Sequence, residues 1–130
     1  MMHKKINNIG KWLSMAEDDE QTCRSLLKHR DAPASSVCFF SQQMAEKYLK
    51  TLLIHHQQPL SKIHDLSRLA TLLEPFESAV FDLGEEFVLL NKFYIMTRYP
   101  ADVPEGFSWK DAEEAFDAAC MVKKFTLERL

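Results

Sequence analysis

From Phe39 to His56 the chain reads FFSQQMAEKYLKTLLIHH, and at helical spacing Phe40, Met44, Tyr48, Leu52 and His55 fall on one stripe, widened by Val37, Ala45 and Leu49. Gln43, Glu46, Lys47 and Lys50 lie beside or opposite that stripe, so the pattern predicts an amphipathic helix carrying a tight polar cluster. Glu46 precedes Lys50 by four residues, the favourable order for a helical ion pair, which contributes about 0.3–0.5 kcal/mol when exposed. The helix is expected to end between His56 and Gln58, ahead of Pro59.

The same reading covers the rest of the chain. A first helix is expected from near Asn7 or Asn8, either a suitable N-cap, to about His29 or Arg30, with Ile9, Trp12, Leu13, Ala16, Cys23, Leu26 and Leu27 facing the core. Asp19 and Glu20 interrupt its stripe. A carboxylate at Asp19, close to the packed face, is costly unless paired, which calls for a basic partner, Lys47 or Arg98. Pro33 suits the first turn of the second helix. Asp65 (or His64) would cap a short third helix, Leu66 to about Leu73, which Pro75 stops. A fourth helix is expected from Glu77 to Thr97, burying Val80, Phe87, Leu90 and Tyr94, with Gly84 in its interior as a point of close packing. Asn91, Tyr94 and Arg98 share one of its faces, and Pro100 closes it. Ser108 and Asp111 form a capping-box pair for a last helix that buries Trp109 or Ala112, Phe116, Ala119, Cys120 and Phe125. No useful β-alternation occurs. The pattern therefore predicts an all-α fold, an antiparallel bundle of four long helices and one short one, as a single domain over residues 1–130.

Composition sharpens this. Three glycines and five prolines are too few for a turn-rich β fold. A formal net charge of -3 excludes a generally basic nucleic-acid coat and leaves room for a local basic patch. Cys23, Cys38 and Cys120 form no CxxC pair and read as buried thiols in a reducing compartment. With no signal-peptide pattern and no apolar run of membrane-spanning length, a soluble cytoplasmic protein is expected, without membrane contact.

Candidate chemistry is restricted. Walker, GxGxxG, HExxH and GxSxG patterns are absent from the sequence. His55 and His56, adjacent on a helix, point about 100° apart and do not chelate together, so neither a metal site nor a cofactor is expected. The polar set Gln43, Glu46, Lys47, Lys50, His64, Asp65, Asn91, Arg98 and Tyr99 carries more weight. Arg98, at a proline-stopped helix end, can reach phosphate bidentately, and Tyr99 can stack on a base. Asp19, Gln43 and Tyr94 are the residues expected to support that set.

The succession WLSMAEDD, CFFSQQMAEKYLKTLLIHH, HDL, LNKFYIMTRYP and a final helix opening SWKDAEEAF resembles the prokaryotic HEPN domain, in the same order and over nearly the whole chain. The resemblance implies a helical bundle, commonly a homodimer, often encoded beside a minimal nucleotidyltransferase as a toxin–antitoxin pair, and often a nucleotide or RNA binder or a metal-independent ribonuclease. The ribonuclease branch carries an arginine followed four to six residues later by a histidine. Arg98 stands in the arginine's place, but no histidine follows His64. Three readings follow: a nucleotide- or RNA-binding module acting with a nucleotidyltransferase partner, a structural interaction protein without ligand, and a ribonuclease whose base is His64 or Tyr99.

Overall fold

The structure, a computed structural model, describes residues 2–59, 62–98 and 106–130, with the backbone alone for 2–7 and 95–98. It is all-helical, as the periodicity predicts: α1 (Met2–His29), α2 (Ala34–His55), α3 (Leu66–Leu73), α4 (Gly84–Arg98) and α5 (Trp109–Leu127), with a 3₁₀ turn at Val80–Leu83. Among the described residues no helix is long and apolar enough to cross a membrane.

The central element is α2, packed against α1, α3, α4 and α5. Met44, Tyr48, Leu49 and Leu52 are buried as the stripe predicts, while Phe40 and His55 at its ends are half-buried. The rest of α2 departs from a simple amphipathic helix. Ser41, Gln42, Thr51, Glu46 and Lys50 are buried too, because four neighbours surround this helix and leave it almost no solvent face.

Three helix starts differ from expectation. α1 starts at Met2 rather than at an Asn7 or Asn8 cap, since nothing in HKKINN breaks a helix and interior asparagine costs only tenths of a kcal/mol, roughly. Pro33 is the N-cap of α2, with extended φ -61 and ψ 144, rather than a residue of its first turn. The helix expected from Glu77 is split: Val80 and Asp82 donate to the carbonyls of Glu77 and Ala79, three residues back, before α4 proper begins at Gly84. Gly84 therefore opens the helix instead of sitting inside it, and nothing lies within 4 Å of where a Cβ would project, so it serves no close packing.

The caps of α3 and α5 match the sequence. Asp65 accepts from Ser67 and Arg68, and Ser108 and Asp111 form a complete capping box. α1 ends where Arg30 turns left-handed, φ 51, a conformation that L side chains resist. Its side chain is held there by Glu113 at 3.0 Å and by the Trp109 ring, 4.9 Å to the centroid.

Candidate functional site

Two parts of the fold, α2 and the loop before α3, meet at the carboxylate of Glu46. α2 presents Gln42, Glu46 and Lys50 on one face by i, i+4 spacing. Lys50 Nζ donates to Glu46 Oε2 at 3.1 Å, and its ammonium also lies 5.9 Å from the Trp12 ring of α1, at the limit of cation–π range. His64, in the loop before α3, places Nδ1 3.1 and 3.2 Å from the two Glu46 oxygens. Gln42 Nε2 donates to Glu46 Oε1 at 3.3 Å and to the His64 carbonyl at 3.1 Å, and Gln43 donates to Gln42 Oε1 at 2.7 Å.

Exposure separates the roles. The Glu46 and Lys50 side chains are each 6% exposed, whereas that of His64 is 46% exposed. Lys50 is thus neutralised inside the bundle, and the imidazole is the part of the network that solvent and ligands meet. A carboxylate accepts hydrogen bonds, so the tautomer that fits this geometry carries its proton on Nδ1 and its lone pair on Nε2. The ring stacks on Tyr94 of α4, with centroids 5.6 Å apart and planes 23° from parallel.

A second set of bonds fixes the His64 loop to α4. Asn91 Oδ1 accepts from Leu66 N at 2.9 Å, and Asn91 Nδ2 donates to Asp65 Oδ1 at 3.0 Å. That Asp65 oxygen also accepts from Ser67 N and Arg68 N. Asp65 and Asn91 therefore set the height and angle at which His64 reaches Glu46.

Of the residues selected from the sequence, Gln43, Glu46, Lys50, His64, Asp65, Asn91 and Tyr94 form one connected cluster. Lys47 turns the other way and meets Asp19 of α1 at 2.5 Å, the partner that a near-core carboxylate required. The backbone of Arg98 ends α4 one turn beyond Tyr94, while the Arg98 side chain and all of Tyr99 lie outside the described residues. Two members escaped the sequence reading. Gln42 lies four residues before Glu46, a spacing that signals contact, and Trp12 was assigned wholly to the core. His56 bonds Glu77 at 2.6 Å and stacks on Phe76.

The thiols are poor nucleophiles. Burial pushes Cys23 up to about 11 and Cys38 up to about 12. The adjacent acids of α1 behave oppositely to one another. Burial raises the Asp19 carboxyl by more than the hydrogen bond and charge of Lys47 lower it. Burial pushes Glu20 the same way, but hydrogen bonds from Lys123 at 2.6 Å and Arg24 at 2.9 Å, with their charges, bring it below the ordinary range. The Asp19 contribution to stability is therefore full below its unfolded value of 3.8 and is lost as pH rises through its higher folded value. The Glu20 contribution is present above 4.5 and is lost as pH falls through its lower folded value. In urea titrations across this acid range, Glu20→Gln is expected to flatten the rise of stability with pH, and Asp19→Asn to steepen it. Equal slopes in both variants would contradict the assignment.

Known proteins share this outline. A family model described as the HEPN domain matches residues 9–130. The chain is similar to TT1696 from Thermus thermophilus, with 32% identity and a TM-score of 0.84 over 95% of this chain and 99% of that one. It is also similar to ST0689, an archaeal HEPN homologue, with 25% identity and a TM-score of 0.74 over 93% and 96% of the two chains. No curated protein gives a significant match.

Proposed function

Because this chain belongs to the HEPN domain family, we propose that it binds a nucleotide or RNA and acts in the cytoplasm with a minimal nucleotidyltransferase partner, as one component of a toxin–antitoxin pair. The observation that carries this reading is the half-exposed His64 ring, stacked on Tyr94 and anchored from beneath by the buried Glu46–Lys50 pair. An aromatic pair on a rigid support offers a stacking face to a base, and the imidazole adds a hydrogen-bonding edge. Arg98, one turn beyond Tyr94, would take the phosphate and Tyr99 would extend the stack. A homodimer would bring two Arg98 segments together across its two-fold axis and make a basic groove in an acidic protein. In this scheme Lys47 and Lys50 act through Asp19 and Glu46 rather than on phosphate directly.

Calorimetric titration with ATP and with a short single-stranded RNA tests the reading. Binding weakened about tenfold or more by Arg98→Ala is expected, the loss of a charge-assisted bidentate contact. No binding by the wild type, or binding indifferent to Arg98→Ala, would overturn it.

One observation favours the ribonuclease reading second. The Glu46–His64 dyad holds an imidazole by Nδ1 and leaves the Nε2 lone pair for a proton, the arrangement a general base needs. Nε2 would take the proton of a ribose 2′-OH as that oxygen attacks the adjacent phosphorus; the bond from phosphorus to the 5′-oxygen breaks, giving a 2′,3′-cyclic phosphate and a 5′-hydroxyl that takes its proton from water. RNA cut in the presence of a chelator by wild type, and left intact by His64→Gln, is the expected signature.

A further inference from the structure

The face formed by α4, α5 and the 3₁₀ turn carries exposed apolar side chains beside acidic ones. A groove of about 290 Å³ between the two helices is lined by Glu85, Glu86, Leu89, Glu114, Asp117 and Met121. A second concavity of about 470 Å³, lined by Phe81, Gly84 and Val88, lies on the other side of Glu85, which lines both. Val88 is 67% exposed and Met121 48%, large apolar side chains left in water beside four carboxylates.

Glu85 and Glu86 lie in the first turn of α4, where the helix dipole favours negative charge. Of the acids on α5, Asp111 completes a helix cap and Glu113 holds Arg30. Among the described residues Glu85, Glu86, Glu114 and Asp117 form no ion pair, and Glu86 Oε2 is buried with no hydrogen-bond partner. Glu114 and Asp117, one turn apart on α5, repel each other in the free protein. Positive charge supplied from outside relieves that repulsion.

The chemistry narrows the occupant. Phosphate is repelled here, which separates this face from the proposed nucleotide site. No cluster of three or more His, Cys, Asp or Glu side chains among the described residues is arranged to hold a metal ion. A second copy joined by two-fold symmetry would set these acids against themselves. We propose that the groove docks a basic amphipathic segment of a different protein, with apolar anchors against Val88 and Met121 and Lys or Arg side chains against Glu85, Glu114 and Asp117. This gives the protein-partner reading a surface and rests on it only for the partner's existence.

A fluorescein-labelled helical peptide of leucine and lysine, with leucines at i, i+3 and i+4, is the probe, read by fluorescence anisotropy. The wild type is expected to bind it, and to bind a leucine–glutamate counterpart at least about tenfold more weakly. The combined variant Glu85→Gln, Glu114→Gln, Asp117→Asn should weaken binding about tenfold, and Val88→Asp as much. The control variant Glu17→Gln, Asp18→Asn, on the exposed acidic turn of α1, should change binding less than about twofold. Circular dichroism melts establish that all are folded. A wild type that ignores the peptide, or a control that loses as much as the groove variants, overturns the proposal. So does dimer dissociation caused by Val88→Asp in sedimentation. If a nucleotidyltransferase copurifies undisturbed by groove variants that also leave peptide binding intact, the groove assignment fails and the partner reading stands. If the peptide binds in the groove but no nucleotidyltransferase copurifies, the reverse holds.

Discussion

Glu46→Ala is expected to lower the unfolding free energy by about 3–5 kcal/mol, the cost of leaving a buried charge without its counter-ion. The Lys50 side chain is 6% exposed, and with Glu46 gone its ammonium keeps, among the described residues, only the distant Trp12 ring. Gln42 and His64 lose an acceptor in the same step. A surface pair of the same i, i+4 spacing would cost about 0.5 kcal/mol, so the measurement distinguishes the buried network from a solvated one. The compensated variant Glu46→Leu, Lys50→Met removes both charges and fills the space with apolar atoms. It should recover to within about 1–2 kcal/mol of wild type, because two desolvation costs vanish along with one attraction. Urea denaturation followed by circular dichroism gives both numbers. A loss below about 1 kcal/mol for Glu46→Ala would mean that Lys50 escapes to water.

The contrast between these two estimates marks what the sequence could and could not supply. Periodicity identified the helices because each buries a stripe, and capping chemistry placed α3 and α5 because Asp65 and Ser108 act within a few residues of their own position. The burial of Glu46 and Lys50 depends on how many other helices surround α2, a tertiary fact that no local window contains. For the same reason an ion pair that reads as a surface ornament in sequence is an interior one in the fold. Asp19 was legible in part, since its place near the packed face demanded a cation. Whether that cation was Lys47 or Arg98 depended on the packing of α1 against α2, and the structure gives Lys47. The split before α4 was hidden because the 3₁₀ turn keeps Val80 and Leu83 facing inward, as a continuous helix would.

Tyr94→Leu is expected to weaken RNA binding about five- to 150-fold, the equivalent of about 1–3 kcal/mol for one lost base–aromatic stack. Leucine retains most of the apolar contact that a half-buried residue makes on α4, so the fold should survive the change. Tyr94→Phe keeps the ring against His64 and should stay within about twofold of wild type, provided that stacking rather than the hydroxyl carries the contact. Salt separates this residue from the cationic one. Stacking involves no counterion release, so the slope of log affinity against log salt should be the same for Tyr94→Leu as for wild type. Arg98→Ala should reduce that slope by about 0.7, one phosphate contact on a single strand. Titrations of each variant with the same oligonucleotide at several salt concentrations give affinity and slope together. A Tyr94→Leu protein that binds as tightly as wild type would remove the His64–Tyr94 stack from the binding surface, and with it the geometric basis for placing nucleotide recognition at the junction of α2 and α4.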